Sequence, residues 1–399
     1  MAGLNNIKNK TSENALKLLK KSCFISNEQW KYTRLSQFDK HKLYDKKINL
    51  KQYNNKHNEH ITVYNNNQIF YEKNNKYLID TIDNAIKSNL PNCNKIFNKI
   101  IPENQNKYIL SNTAYFNKGF YIHIKDNAIL KNPIIINIIS DSNNAKTFLN
   151  FRYLISIGKN SSVKIILKNS HKKELSVNSV FEIMSDENSN TDLIMESSRP
   201  KTTEICNFSS LIKNNATLNI FPCDITGNKI KNNFFIELKE QNSSFNYNSI
   251  NLLNDKNHID NYIEINHNSK YTYSNTNQKN ILSGVSTSIF YSKAIIKKNS
   301  SNSEAYQSNK NMMLSKKANV HSNPQLEIHN NDVKCAHGST TGEINPDSIF
   351  YLRSRGIKLE DAKKMLLNGF LNETIDSINI NFFKKNINKK FNRWLIDVN

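Results

Sequence analysis

Apolar and polar positions follow three different patterns along this chain. Residues 11–22, Thr-Ser-Glu-Asn-Ala-Leu-Lys-Leu-Leu-Lys-Lys-Ser, read as a short amphipathic helix with Ser12 as its N-cap. Glu28-Gln29-Trp30-Lys31-Tyr32-Thr33 follows, and then an Asn- and Lys-rich stretch to about residue 100 whose polarity predicts partial mobility. From about residue 101 to 342 the text changes to short runs of Ile, Val, Phe and Tyr broken by Asn, Ser and Asp, as in Ile134 to Ile139 and Phe151 to Ile157. Runs of that length and composition, bounded by turn residues, are strands.

A weak repeat runs through this middle part. An Asn-led polar turn followed by alternating apolar residues recurs at Asn160 (Val163, Ile165), Asn188 (Leu193), Asn214 (Leu218, Ile220), Asn242 (Phe245, Tyr247) and Asn268 (Tyr271, Tyr273), in steps of 28, 26, 28 and 26 residues. A near-constant step of this size marks a solenoid, because one coil cannot bury its own apolar face and must stack on its neighbours. Several short strands per step, with no helix-length pattern between them, predict a mainly β chain: a right-handed parallel β-helix over 101–342, with helical regions at 1–100 and 343–399. A β-sandwich with evenly spaced hairpins is the alternative.

After Glu343 the period becomes helical. Asn345-Pro346-Asp347-Ser348 supplies an N-cap, a first-turn proline and an acidic first turn, so a helix through Ile349, Phe350 and Leu352 should end at Gly356 in the left-handed conformation. A second helix from about Leu359 would set Leu359, Ala362, Met365, Leu366 and Phe370 on one face. Such a terminal hairpin is expected to cap the open solenoid end, whose strand edges are otherwise unpaired, and to offer an apolar face to a partner.

Composition narrows the function. Five cysteines at 23, 93, 206, 223 and 335, without CxxC spacing, suit a reducing compartment. The start, Met1-Ala2-Gly3-Leu4-Asn5-Asn6, lacks the apolar core of a secretory signal, and no run approaches membrane-spanning length, so a cytoplasmic protein is expected. The net charge of +21 invites a nucleic-acid reading. Its 55 basic residues are 49 Lys and 6 Arg, beside 70 Asn, a mixture that AT-rich codon usage produces by itself. Arg, whose planar fork reads bases and phosphates bidentately, is nearly missing.

The chemistry-bearing residues are few. Cys335 and His337 stand two apart near the end of the strand-rich region, so an extended chain points both to one side. A thiolate beside an imidazole ligates iron, zinc or copper, or serves as nucleophile and base; a buried structural pair is the bland reading. Two ligands do not close a metal site, so a second chain would have to complete it. His258, His267, His321 and His329 read as surface residues, and Cys206 and Cys223 as small core residues. Gly338-Ser339-Thr340-Thr341-Gly342 lacks the Gly-Lys-Ser/Thr ending of a P-loop, and neither a G-x-S-x-G elbow nor an H-E-x-x-H helix occurs.

The segment Pro324 to Ile328, then Asp332-Val333-Lys334-Cys335-Ala336-His337-Gly338-Ser339-Thr340-Thr341-Gly342 and Phe350-Tyr351-Leu352-Arg353-Ser354-Arg355-Gly356-Ile357, resembles the C-terminal signature of the SufB/SufD family. Trp30-Lys31-Tyr32-Thr33 resembles that family's SufD-type N-terminal motif, and Asn112 to Phe120 with Ile122 and Pro133 its entry into the β-helix. Where SufB-type sequences flank the matching histidine with acids, Ala336 and Gly338 flank His337, which is the SufD pattern. Residues 140–310 match only in texture.

The resemblance implies a non-catalytic scaffold of iron–sulfur cluster assembly that pairs with SufB through the β-helix end and binds the ATPase SufC through its C-terminal helices. It implies a transient iron–sulfur cluster or iron at the SufB interface, with His337 as a ligand and Cys335 in a less defined role. It links the complex to a cysteine desulfurase and a reduced flavin, with no flavin or nucleotide site assignable on this chain. Two other readings are a β-helix protein acting on carbohydrate, which would cluster carboxylates on neighbouring coils, and a basic nucleic-acid-binding module.

Overall fold

A computed structural model describes residues 2–21, 28–33, 35, 61–64, 68–70, 74–102, 106–116, 118–140, 147–171, 175–378 and 380–398. Cys23 and about half of the polar stretch expected to be mobile, chiefly residues 36–60, lie outside the described residues. Its helices are α1 (Ala2–Lys21), α2 (Ile82–Lys87), α3 (Cys93–Ile96), α4 (Lys107–Tyr115), α5 (Pro346–Ser354), α6 (Leu359–Asp376) and α7 (Asn381–Val398). Strands β1 (Ile61–Tyr64), β2 (Gln68–Phe70) and β3 (Tyr77–Thr81) precede β4 (Lys118–Ile124), β5 (Ile134–Ser140), β6 (Thr147–Ile157), β7 (Ser162–His171) and β8 (Leu175–Ser185). The long β9 (Asn190–Ile212) and β10 (Thr217–Leu238) come next. They are followed by β11 (Ser244–Leu253), β12 (His258–His267), β13 (Tyr273–Leu282), β14 (Thr287–Ile296), β15 (Ser303–Met313), β16 (Asn319–Ile328) and β17 (Val333–Gly342).

The strands wind into a parallel β-solenoid with two walls. One wall stacks β4, β6, β8, the second halves of β9 and β10, β12, β14 and β16, each paired in parallel with the next. The other stacks β5, β7, the first halves of β9 and β10, β11, β13, β15 and β17. Alternate side chains point inward, so each coil sets its apolar residues on those of the coil before. Phe120, Tyr153, Phe181, Phe208 and Phe234 form a ring column inside the first wall, with centroids 4.5, 4.4, 6.0 and 5.3 Å apart, and Tyr247 of the second wall meets Phe234 at 5.2 Å. Ring pairs at these separations contribute about 0.5–1.5 kcal/mol each beyond their buried area.

Asparagine sets the corner of the coil. Asn127, Asn160, Asn188, Asn215 and Asn242 have φ of 60°, 53°, 56°, 53° and 56°, the left-handed region that asparagine tolerates best after glycine. Each amide from Asn160 onward donates to the Oδ1 of the one before, at 3.1, 2.9, 3.0 and 2.9 Å, building a side-chain ladder up the corner. The expected third position, Asn214, is thus displaced to its neighbour Asn215, and in the fifth turn Tyr271, not Asn268, takes the positive φ. Gly119 is required by space, since a Cβ there would lie 1.7 Å from the Arg152 carbonyl oxygen.

The terminal helices depart from expectation. Helix α1 starts at Ala2, so Ser12 is no cap; it lies inside the helix and donates to the Thr113 carbonyl at 3.1 Å. Asn345 does cap α5 through Asp347 N, and Gly356 follows with φ +83°. On α6 the buried residues are Ala362, Leu367, Leu371, Thr374 and Ile375, whereas Leu359 and Met365 are exposed. Leu367, Leu371 and Ile375, with Phe383, Ile387, Phe391 and Trp394 of α7, cover the outside of the second wall along Ile166, Ile194, Cys223, Ile250, Leu252 and Ile281. The helices therefore flank the solenoid and leave its last coil uncovered, because the wall's own outward apolar stripe is the larger surface to bury.

Candidate functional site

The last coil is the part of the solenoid that nothing in the described chain covers. Strand β16 pairs only with β14, and β17 only with β15, which leaves one hydrogen-bonding edge of each free among the described residues. The other end differs: β3 closes antiparallel on β4, and β1 extends β5. An open parallel edge of two ten-residue strands is a template for another chain.

Cys335 and His337 sit on this coil. Their register partners are Ala305 and Gln307, both buried and inward-facing, so the alternation directs both side chains to the inner side of β17, as the i, i+2 spacing predicts. Cys335 packs beside Ala294, Ile296, Ala305, Leu326 and Val333 and is half-buried, whereas His337 is exposed at the mouth of the coil. Burial raises the Cys335 thiol above its ordinary value, offset in part by a hydrogen bond with the Ala305 backbone. The thiol is therefore protonated at neutral pH, and ligation needs an incoming cation or base to take its proton. Among the described residues no group of three or more His, Cys, Asp or Glu side chains is placed to hold a metal ion. Gly338 has open space around it, so no clash excludes a side chain there. The Gly338 to Gly342 run is extended strand rather than the strand-to-helix turn of a phosphate loop.

A second surface lies on the C-terminal helices. Phe350 is 75 % exposed and Tyr351, Leu359 and Met365 are exposed with it, an unpaired apolar patch on α5 and α6. Trp30-Lys31-Tyr32-Thr33 lies along the outside of the first wall instead. Trp30 meets Tyr108 at 5.0 Å and takes the buried Lys231 ammonium 5.5 Å from its ring, while Tyr32 stacks on His321 of β16 at 4.3 Å.

The remaining histidines divide. His321 and His329 are exposed as expected, the latter paired with Glu327 at 2.8 Å. His267 is wholly buried between the hydroxyls of Thr272 and Ser274, at 2.8 and 2.9 Å, and His258 is half-buried against Thr33, so both surface assignments are corrected. Strand alternation in β12 turns His267 inward, whereas His258 faces outward and is covered by the Trp30–Thr33 segment; a turn-based reading overlooks both. Sequence reasoning also missed the buried ion pairs Arg152–Glu182 and Lys231–Asp260. Their partners lie 30 and 29 residues apart, about one coil, which is the one signal that links them.

A family model described as "SUF system FeS cluster assembly, SufBD core domain" matches residues 138–370. The chain is 32 % identical over 152 residues to the iron-sulfur cluster assembly protein SufD of Escherichia coli, covering 38 % of this chain and 36 % of that protein. An iron-sulfur cluster assembly SufBD family protein of Synechocystis is 37 % identical over 105 residues, 26 % of this chain and 23 % of its own length. The iron-sulfur cluster assembly protein SufD of Bacillus subtilis is 33 % identical over 107 residues, 27 % and 24 %. The matched stretches thus span 23 to 36 % of these relatives.

Proposed function

The chain belongs to the SufBD core family of the SUF system and is SufD-like, and from that premise we propose that it is a non-catalytic scaffold subunit of a cytosolic SufB–SufC–SufD complex. The observation that carries the reading is the uncovered last coil, with its two free strand edges and Cys335 and His337 at its mouth. A SufB-type β-solenoid abutting that end covers the edges, and its residues complete the coordination that Cys335 and His337 begin.

The nascent iron–sulfur cluster, or iron on its way to it, is the cargo of this shared site. His337 supplies a nitrogen donor and Cys335 a thiol that becomes a ligand once iron displaces its proton. A site divided between two chains releases its cargo more readily than four thiolates on one rigid coil. The apolar patch of Phe350, Tyr351, Leu359 and Met365 is the docking face for a SufC-type ATPase, which supplies the energy. Sulfur arrives from a cysteine desulfurase through SufB, and a reduced flavin, where the complex uses one, binds at the level of the assembly. No helix among the described residues is long and apolar enough to cross a membrane.

Co-expression with SufB- and SufC-type partners tests this. A stable ternary complex is expected, and His337→Ala within it should abolish cluster maturation without dissociating the subunits. Normal maturation in that variant removes His337 from the site, and failure to capture either partner overturns the scaffold reading.

A further inference from the structure

The interior of the solenoid changes character along its length. The ring column ends at Tyr247, and the inward residues stacked in register beyond it are Thr276, Gln307 and finally His337. The neighbouring inward columns run Ser249, Gln278, Asn309, Ser339 and Asn251, Asn280, Asn311, Thr341. In the first coils the column of Tyr247 holds Ile165, Leu193 and Ile220, whereas the column of Asn251 is already polar there, with Asn169, Ser197 and Asp224.

Much of this polar interior satisfies itself. Asn232 Nδ2 donates to Asn261 at 2.8 Å, Asn261 to Gln278 at 2.8 Å, Gln278 to Asn280 at 3.2 Å and Asn280 to Asn309 at 3.2 Å. The chain reaches the last coil through Asn309 to Ser322 at 2.9 Å and Asn311 to Thr341 at 3.1 Å. Four inward groups of β13, β14 and β15 are left over. Thr276 Oγ1, Ser288 Oγ, Ser292 Oγ and Gln307 Oε1 are fully buried and make no hydrogen bond within the described chain. Thr276 and Gln307 are neighbours in the column that ends on His337, and Ser288 and Ser292 lie on the inner side of β14 in the facing wall.

Each buried polar group left unpaired loses its hydration without compensation, and four together would consume much of the small margin by which a domain is stable. Something must bond them. The lining is neutral throughout, which disfavours an ion, since a buried charge requires a counter-charge. Hydroxyls and an amide oxygen call for a small molecule that both donates and accepts. We infer that the last coils hold a file of ordered water molecules bonded to Thr276, Ser288, Ser292 and Gln307, reaching the inner side of His337.

This deepens the scaffold reading and rests on it for its consequence: once a partner covers the end, the internal file is the water that still hydrogen-bonds the His337 imidazole. A high-resolution crystal structure of the chain alone should show water within hydrogen-bond distance of these four atoms; dry density around them overturns the inference. Thermal unfolding gives a second test by sign. Thr276→Val removes a hydroxyl at constant shape, so a water-bonded Thr276 predicts a Tm lowered by about 1–3 °C. An unpartnered hydroxyl predicts a raised Tm, and an unchanged or raised value in both Thr276→Val and Ser292→Ala overturns the inference. Both tests use the isolated chain, so a failed partner pull-down counts against the assembly reading and leaves these outcomes to judge the water.

Discussion

The Thr33 hydroxyl donates to Oδ2 of Asp260, whose Oδ1 accepts from Lys231 Nζ at 2.8 Å. With its proton committed there, Thr33 is the acceptor in its 2.9 Å contact with His258 Nε2, so the ring nitrogen carries the proton. The buried Lys231–Asp260 pair thus ties the Trp30–Thr33 segment to the first wall, and the Tyr32–His321 stack carries that tie to the exposed strand β16.

Thr33→Val should therefore destabilise the chain by about 1.5–3 kcal/mol, because the lost hydrogen bond goes to a charged, buried acceptor. Thr33→Ser should recover most of that loss. Urea midpoints of the three proteins decide it, and a valine variant within about 0.5 kcal/mol of the parent, the scale of an ordinary surface change, would remove the anchoring role.

Acid should weaken the fold through His267 and His258. Burial pushes their imidazoles down, to about 3 and about 4, from the ordinary value near 6.5. Between those values the unfolded chain binds protons that the folded chain does not. The contribution of each is thus fully present above pH ~6.5 and is lost as pH falls toward the folded value, at about 1.4 kcal/mol per unit. Urea midpoints should fall on acidification from pH ~6.5 to ~4, and His267→Gln should flatten that slope. A midpoint independent of pH across this window contradicts the burial of both rings.

The solenoid was legible because its corner must be left-handed, and asparagine marks that corner at Asn160, Asn188 and Asn242. The register blurs at Asn214 and Asn268, since a chain with 70 Asn offers several candidates per turn and only one has the required φ. The common side of Cys335 and His337 follows from alternation alone. The uncovered end does not, because it depends on which surface α6 and α7 prefer. That preference is set by Ile166, Ile194, Ile250 and Ile281, which in the sequence read simply as strand residues. Helix α7 was missed although Phe383, Ile387, Phe391 and Trp394 keep helical spacing, because Lys and Asn crowd the positions between them.

Arg152 and Glu182 are both 0 % exposed and meet at 2.5 Å, and Glu182 also accepts from Asn98 N at 3.0 Å, joining the turn after α3 to the first wall. Arg152 Nη1 further donates to Asn112 at 3.3 Å and Thr113 at 3.1 Å on α4. Glu182→Ala should cost about 3–5 kcal/mol, since it strands a buried guanidinium. Replacing both residues with apolar ones of similar volume should cost far less. A double variant as unstable as the single one would show that the surrounding hydrogen bonds, not the unpaired charge, set the penalty.

Cys335 should be the first of the described cysteines to react with iodoacetamide in the isolated chain, since Cys93, Cys206 and Cys223 are buried and it is not. Its rate at neutral pH should nevertheless stay below that of a free thiol, because burial raises its pKa and alkylation requires the thiolate. The rate should climb as pH rises toward the thiol's raised value. Peptide mass mapping over a pH series measures both the order and the slope. If a SufB-type partner covers the last coil as proposed, assembly with it should protect Cys335 while leaving the three buried cysteines unchanged. Labelling faster than a free thiol would mean that Cys335 is an activated thiolate, and the requirement for incoming iron to displace its proton would fall.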